Sequence, residues 1–198
     1  MDAFLYPLQS HHRRHGPRGY LDYESYRPWL RDEFEFRCVY CLRREKWDRP
    51  TALQVDHFVP SSLRPEGDAD YENLFYACIH CNQAKGSKSI PNPAIILLSE
   101  YVSVHADGQI AGNTPEAQML IDALRLNNSA SIHFRRTWLD ILALAQEFKP
   151  SLYRQLLGYP DALPDLALLR PPGGNSRPQG LTESHYARRQ RNELPETY

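Results

Sequence analysis

The residues best suited to chemistry in this chain are four cysteines in two C-x-x-C pairs, Cys38 with Cys41 and Cys78 with Cys81. Each pair presents two thiolates on a tight turn, and two such turns supply the four tetrahedral ligands that structural zinc prefers. Disulfides are disfavoured in a reducing compartment, and the doubled motif argues against a single pair of redox thiols. The pattern therefore predicts a closed Cys₄ zinc site, which has no open position for substrate.

Four polar residues lie between and just after the cysteine pairs: Asp56, His57, Asn73 and Asn82. Hydrolysis of a phosphodiester needs a base for water and a hard cation beside the scissile phosphate. His57 is a candidate base, because the neutral imidazole of a histidine can accept a proton from water. Asp56 and Asn82 offer the oxygen ligands that Mg²⁺ or Mn²⁺ accepts. Taken singly, these residues could be a cap, a turn residue or a buried structural histidine, and only their joint arrangement favours a site.

Basic residues cluster around both cysteine pairs. Residues 37–50 carry five basic side chains against two acidic ones, although the whole chain has a formal net charge of −1 at pH 7. A zinc fold brings the two pairs together, so the sequence predicts a positive face for phosphates formed by Arg43, Arg44, Lys85 and Lys88. From charge alone, an ordinary solvated surface is the more common case. The role of the basic run at residues 11–15 is left open.

The elements that must position these side chains follow from local patterns. Apolar periodicity and turn signals predict a helix, a strand, a loop, a second short strand and a helix, at residues 23–36, 51–55, 61–71, 73–77 and 81–86. The first helix is expected to brace the zinc module. The first strand leads directly into Asp56 and His57, and Pro60 lies just beyond it.

The remainder of the chain predicts helices around a small hairpin, then a flexible end. Asp107-Gly108 is a turn signal, and helices are predicted from Thr114 and over residues 131–148. The second of these helices carries an apolar stripe expected to be core, composed of Phe134, Trp138, Ile141, Ala145 and Phe148. The chain thus divides into a basic arm with the bracing helix, a zinc module, an accessory region, and a Pro/Gly-rich linker with a basic flexible tail, at residues 1–37, 38–90, 91–170 and 171–198.

The ordered pattern C-x-x-C, D-H, N, C-x-x-C-N-x-x-K-G resembles the HNH endonuclease superfamily, the ββα-metal nucleases, in its four-cysteine zinc form. The resemblance covers roughly residues 38–88. It implies an α+β fold: a treble-clef-like ββα-metal zinc module, here with flanking helices and a small β-hairpin. The letters HNH name three motif residues, and at the third of them this chain has Asn82 instead of histidine. His80, between the second pair of cysteines, is a weaker rival ligand.

By this resemblance each residue of the pattern has a role. It implies that His57 is the general base and that Asp56 and Asn82 hold the catalytic cation. It also implies that Asn73 steadies both the loop and the histidine through hydrogen bonds, and that Lys85 faces phosphate. The cofactors implied are structural Zn²⁺ and catalytic Mg²⁺ or Mn²⁺.

The function implied is a metal-dependent endonuclease that hydrolyses phosphodiester bonds of nucleic acid, DNA foremost, by a one-metal mechanism. Two alternatives are kept: a non-catalytic zinc module that binds nucleic acid or protein, and a nuclease subunit active only in a larger complex. The flanking regions resemble stand-alone bacterial HNH proteins more weakly. Some of those proteins serve in restriction or anti-phage defence, so that setting and a protein partner or regulator are expectations.

Composition bounds the remaining classes. The chain has 198 residues, of which 41% are hydrophobic and 24% charged, enough to bury one moderate core. It contains no apolar run near the roughly 18 residues that span a bilayer, and residues 1–10 lack the pattern of a signal peptide. We therefore expect a cytoplasmic protein without membrane contact. Strandedness, sequence specificity and oligomeric state are left open, because no groove-reading element is recognisable.

Overall fold

The computed structural model describes residues 2–49 and 52–198. Its helices and strands, in chain order, are α1 (Arg27–Glu33), β1 (Leu53–His57), β2 (Leu74–Cys78), α2 (Ile79–Lys85), α3 (Pro93–Ile96), β3 (Val102–Val104), β4 (Ile110–Gly112), α4 (Pro115–Ala123), α5 (Ser129–Phe148), α6 (Pro150–Leu157) and α7 (His185–Gln190). The α+β prediction is confirmed. Thr51, which was predicted to begin the first strand, lies outside the described residues.

Two strands and one helix form the centre of the molecule. Strand β1 pairs antiparallel with β2, so that Asp56 lies opposite Phe75 and His57 opposite Leu74. Every residue of β2 is buried, as expected for a strand covered on both faces. Helix α2 begins directly after β2 and ends at Gly86, whose φ of 52° is strained for a residue with a side chain. In this ββα unit the end of β1 lies beside α2.

The bracing helix is shorter than the predicted range of residues 23–36. A 3₁₀ turn at Tyr23–Tyr26 precedes α1, and Pro28 lies in the first turn of α1, where its missing N–H leaves no broken hydrogen bond. The helix ends because Glu35 and Phe36 adopt positive φ angles of 53° and 56°. Helix α1 packs against β2 and so supports the ββα unit from one side.

The predicted hairpin is present, and one arginine fixes it to the helical region. Strands β3 and β4 pair antiparallel, and Gly108 in the turn between them has a φ of 86°. The buried Arg135 of α5 donates from Nε to the Gly108 carbonyl at 2.6 Å and from its guanidinium to the Leu126 carbonyl at 2.7 Å. Arg135 thus satisfies carbonyls that the hairpin and the α4–α5 connection would otherwise leave unpaired.

The apolar stripe predicted for the second long helix is only partly core. Trp138 stacks on Trp47 with ring centroids 4.4 Å apart, and Ala145 is buried, but Ile141 and Phe148 are 38% and 73% exposed. Helix α5 buries Arg135, Leu142 and Ala145 instead, because the helix packs on the hairpin and on α6 rather than on a continuous apolar surface. No helix among the described residues is long and apolar enough to cross a membrane.

The N-terminal arm and the C-terminal segment contact each other, and the flexibility of the tail stays a prediction. Pro17 forms an antiparallel bridge with Asn175. Arg18 N donates to the Gly174 carbonyl at 2.9 Å, and Gly173 N donates to the Arg18 carbonyl at 2.8 Å. The tail then continues into α7 against the core. The Pro/Gly-rich segment therefore runs beside the N-terminal arm and pairs with its backbone. The four domain boundaries stay a prediction.

Candidate active site and zinc site

The four cysteines converge at the start of the ββα unit. Their Sγ atoms all lie within 4.8 Å of one another, and all four cysteines are free of disulfides. The first pair lies on a turn in which Val39 N donates to the Tyr76 carbonyl at 2.9 Å, so β2 holds both pairs together. Four sulfur donors in one buried cluster fit tetrahedral Zn²⁺, and no other donor type is needed to complete that coordination.

Asp56, near the end of β1, is a buried carboxylate with both oxygens bound. Tyr40 donates its hydroxyl to Oδ2 at 2.5 Å, and Lys85 donates from Nζ to Oδ1 at 2.9 Å. Burial raises the pKa of Asp56 above its ordinary value, and this outweighs the lowering caused by Lys85 and Tyr40. Each carboxylate oxygen has about two acceptor positions, so each keeps one for a further partner.

His57 is the last residue of β1, and one of its two ring nitrogens is bound. Nε2 lies 2.8 Å from the backbone carbonyl oxygen of Asp68 and 3.1 Å from the Asp68 Oδ1. A carbonyl only accepts, so Nε2 carries the hydrogen and a neutral ring holds its lone pair on Nδ1. Nδ1 has no hydrogen-bond partner among the described residues. His57 is therefore held as a base with Nδ1 available.

Two further contacts fix this histidine. The Tyr23 ring meets the His57 ring edge-on, with centroids 4.8 Å apart. Ser61 donates from Oγ to Oδ1 of Asp68 at 2.6 Å, which anchors the carboxylate beside Nε2. Packing and hydrogen bonding together restrict rotation of the imidazole, as a positioned base requires.

Asn73 closes the loop that follows β1. Its Oδ1 accepts from Val59 N at 2.8 Å, and its Nδ2 donates to the Val59 carbonyl at 3.0 Å. Phe58 N also donates to the backbone carbonyl of Asn73 at 2.8 Å. The side chain thus pairs with both backbone groups of one loop residue. The bonds of Asn73 go to the loop, and its effect on His57 runs through the loop backbone.

Asn82 lies on α2 and faces the same cleft as Asp56 and His57. Its Nδ2 donates to Oε1 of Gln54 at 3.2 Å, and its Oδ1 has no partner among the described residues. The cleft has a volume of about 310 Å³, and its walls include Tyr23, Asp56, His57, Ser61, Asn82 and Lys85. The oxygens of Asp56 and Asn82 fit a hard divalent cation. The predicted catalytic residues other than Asn73 therefore share one opening.

The two arginines predicted to contact phosphate make contacts within the protein, and their contact with phosphate stays a prediction. Arg44 is 1% exposed and lies over the Tyr198 ring, 4.1 Å from its centroid, while it donates to the carbonyls of Leu157 and Tyr198. Arg43 lies 3.6 Å from the centroid of the Phe134 ring and pairs with Asp48 at 2.7 Å. The guanidinium group of each arginine thus lies over an aromatic ring of the protein, an arrangement that cation–π attraction favours.

The two lysines also differ from each other. Lys85 is 1% exposed and bound to Asp56, it lies in the wall of the cleft, and its contact with phosphate stays a prediction. Lys88 is exposed, and its Nζ donates to the carbonyls of Ala84 and Ala123. Contact between Lys88 and phosphate stays a prediction. Burial next to a carboxylate explains the inward position of Lys85, since a buried charge needs a partner.

Sequence reasoning missed three residues that hold the site. Tyr40 lies between two zinc-ligand cysteines, a place usually assigned to turn formation. Ser61 and Asp68 belong to a segment whose Pro, Gly and acidic residues indicated only an exposed loop. The contact of Asp68 with His57, and that of Ser61 with Asp68, depend on how this loop folds back over β1. The one available signal was the number of acids close to the Asp-His pair.

Comparison with known proteins agrees with this geometry. Residues 38–88 match the family model described as HNH endonuclease. Residues 38–88 are an HNH domain. The domain is of the four-cysteine type, and an HNH domain supports a nuclease-type function. The chain is also similar to the Septu protein PtuB of Bacillus thuringiensis, with 29% identity over 96 residues. That match covers 46% of this chain and 37% of the relative.

Proposed function

We propose that this protein is a metal-dependent endonuclease that hydrolyses phosphodiester bonds of nucleic acid, DNA foremost, through the cleft at the end of β1. The observation that supports this most strongly is the state of His57. Its Nε2 is tied to Asp68 at 2.8 Å, which leaves Nδ1 as the basic nitrogen in a cleft that also contains Asp56 and Asn82. A structural histidine would have both nitrogens satisfied or sealed from solvent.

In this proposal each residue has a separate task. Nδ1 of His57 accepts a proton from the attacking water. Asp68 holds the imidazole through Nε2. Asp56 and Asn82 would hold Mg²⁺ or Mn²⁺ through their oxygens, and the bound cation would stabilise charge on the scissile phosphate and leaving oxygen. Asn73 keeps the loop closed.

The four-cysteine cluster has a different task. Cys38, Cys41, Cys78 and Cys81 would hold Zn²⁺ as a closed structural site, since four thiolates leave no position for water. The zinc would fix the start of α2 against the first cysteine turn. Through Tyr40, that turn also reaches the Asp56 carboxylate. The zinc site thus supports the cleft without entering the reaction.

For the biological setting we propose anti-phage defence. The similarity to the Septu protein PtuB supports it, and Lys88 at the open end of α2 is proposed to contact the nucleic acid. A protein partner or regulator belongs to the same proposal, because an unrestrained nuclease would damage the DNA of its own cell. The non-catalytic alternative, a zinc module that only binds, predicts binding without cleavage.

The test is cleavage of supercoiled plasmid with Mg²⁺ or Mn²⁺ by the wild type and by His57→Ala. General-base removal is expected to lower the rate by about 10²–10⁴-fold. The matched control is His133→Ala, because His133 is exposed and lies on α5. Equal cleavage by wild type and His57→Ala would reject His57 as the base. Binding without metal-dependent cleavage would favour the non-catalytic module.

A further inference from the structure

Lys85 and Asp56 form a buried ion pair in the wall of the cleft. Their side chains are 2% and 3% exposed, and Nζ lies 2.9 Å from Oδ1. Nζ also donates to the backbone carbonyl of His57. Lysine is among the residues least often buried, and it is buried almost only when paired. The ammonium therefore lies between the proposed cation ligand and the proposed base.

A divalent cation bound by Asp56 would compete with the Lys85 ammonium for the same carboxylate. A cation bound to Asp56 would lie within a few ångström of Nζ, and like charges repel strongly at that range in a partly buried site. Asp56 itself would not need to move, because Tyr40 donates to its other oxygen, Oδ2. Lys85 is the mobile member of the pair, since its ammonium ends a flexible four-carbon stem.

The backbone around Lys85 also allows movement. Lys85 is the last residue of α2, and Gly86 follows it with a φ of 52°. Within the part of the chain that the structure describes, a Cβ at Gly86 would meet one neighbour, the Gln83 carbonyl oxygen at 3.7 Å. The end of the helix is thus open toward the cleft, whose wall includes Lys85, Gly86 and Ser87. An ammonium released from Asp56 stays beside the space that a phosphodiester would enter.

We propose that Lys85 is the resident counterion of Asp56, and that a divalent cation enters the cleft by displacing its ammonium from Oδ1. This inference rests on the proposed function, because it takes Asp56 as a cation ligand. Lys85 thereby sets how tightly the cleft holds a cation. A purely structural Lys85, one that only ties β1 to α2, stays on Asp56 whatever else binds.

Cation affinity separates these two roles without any measurement of cleavage. We would titrate zinc-loaded protein with Mn²⁺ by calorimetry, using wild type, Lys85→Met, Asp56→Asn and the exposed control Lys88→Met. Lys85→Met is expected to bind Mn²⁺ at least tenfold more tightly than wild type, because the competing charge is gone. Lys88→Met is expected to match wild type. Equal or weaker Mn²⁺ binding by folded Lys85→Met would overturn the inference.

A second measurement uses the wild type and does not depend on the folding of a variant. A buried, hydrogen-bonded ammonium exchanges its protons slowly, so Lys85 should give a distinct ¹⁵N-ammonium NMR signal. Adding Mg²⁺ is expected to shift or remove this signal. A Lys85 signal unchanged at saturating Mg²⁺ would overturn the inference.

The Asp56→Asn titration distinguishes failure of this inference from failure of the proposed function. If Asp56→Asn loses Mn²⁺ binding while Lys85→Met does not gain it, Asp56 is a cation ligand and only the role of Lys85 is wrong. If Asp56→Asn binds Mn²⁺ as well as wild type does, the proposed cation site and the inference both fail.

Discussion

Among the described residues, histidine and carboxylate meet both in the buried core and at the cleft, and these two arrangements differ in access to solvent. In one, the fully buried Asp32 is bound by His15 Nε2 at 2.8 Å and by His185 Nδ1 at 2.9 Å. In the other, at the cleft, His57 Nε2 lies 2.8 Å from the backbone carbonyl oxygen of Asp68 and 3.1 Å from its Oδ1. Both arrangements place an imidazole nitrogen close to a carboxylate oxygen. The first joins three segments of chain, and the second positions one ring.

The buried arrangement extends to the neighbouring Glu33. Glu33 accepts from Arg14 N at 2.8 Å, from His15 N at 3.0 Å and from the Tyr71 hydroxyl at 2.9 Å. We call this set of residues the arm–tail clamp, and it comprises His11, Arg14, His15, Asp32, Glu33, Tyr71 and His185. It connects the N-terminal arm, α1 and α7. The run of histidines and arginines near the N-terminus, whose role the sequence left open, is therefore part of the fold.

The comparison shows that an unpaired ring nitrogen is not enough to identify a catalytic histidine. Nδ1 of His15 also lacks a hydrogen bond among the described residues, but the His15 side chain is 0% exposed. Nδ1 of His57 opens onto a cleft shared with Asp56 and Asn82. The candidate base differs from the structural histidine in two ways: it is accessible to solvent, and it has neighbouring oxygen atoms that could bind a cation.

The largest expected effect comes from breaking the clamp with Asp32→Ala. Hydrogen bonds from His15 and His185 hold the pKa of Asp32 well below its usual range, although burial alone would raise it. Removing one partner of a buried charged network is expected to cost about 3–5 kcal/mol of unfolding free energy. Urea denaturation measures this loss. The control is Asp140→Ala on an exposed face of α5, and an equally small change in both variants would contradict a stabilising clamp.

The next effect is a pH dependence that Glu33 adds to stability. Burial alone would raise the pKa of Glu33, but His11, whose Nε2 lies 3.1 Å from Oε1, and the nearby His15 lower it to about 2. A lowered carboxyl pKa contributes stability above the unfolded value of about 4.5, and that contribution is lost as pH falls toward about 2. The contribution is about 3 kcal/mol at neutral pH.

Glu33→Gln isolates this contribution. Wild-type unfolding free energy is expected to fall more steeply between pH 4.5 and pH 2 than that of the variant. The two curves are expected to converge toward the acid end, because the wild-type carboxylate is then protonated. Parallel curves across this range would show that Glu33 carries no such linkage. Neither clamp variant is expected to change cleavage by folded protein, and a large change would break the separation between clamp and cleft.

The central ββα unit was predictable because its signals are local. Two C-x-x-C pairs, a strand ending in Asp56 and His57, and a helix stopped by Gly86 each follow from spacing over a few residues. A metal site of four cysteines requires those cysteines to converge, and this brings the two halves together. The family resemblance then predicted that Asp56, His57 and Asn82 lie in one site.

The orientation of the charged side chains was not predictable from the same signals. Arg44 and Lys85 lie in basic stretches that indicate a surface, yet both are buried against partners far away in sequence. Arg44 donates to the backbone carbonyl of Tyr198, and in the arm–tail clamp His185 binds Asp32. Such long-range pairings leave no periodic pattern. They depend on the return of the tail along the arm, which composition alone had indicated to be a linker.

A smaller effect is expected from Asp68→Ala, which sharpens the comparison at the cleft. The backbone carbonyl still accepts from His57, so only the carboxylate contact and its anchor from Ser61 are lost. A hydrogen bond to a charged group contributes about 1.5–3 kcal/mol, or roughly tenfold or more in rate. The cleavage rate and the ¹⁵N shifts that report the His57 tautomer measure the effect. Asp70→Ala, in the same loop, is the control. Unchanged rate and tautomer would reject Asp68 as a positioning residue.

The smallest effect is expected from Tyr40→Phe, which tests the connection between the zinc site and the cleft. The variant keeps the buried ring and removes only the hydroxyl that donates to Oδ2 of Asp56. A hydrogen bond to a carboxylate contributes about 1.5–3 kcal/mol, and its loss is expected to raise the pKa of Asp56 further, since Tyr40 lowers it. Mn²⁺ affinity is expected to fall a few-fold while zinc content stays unchanged. The control is Tyr153→Phe on α6. If Tyr40→Phe binds Mn²⁺ as wild type does, the zinc turn supports the fold alone, and Lys85 becomes the main determinant of the Asp56 carboxylate.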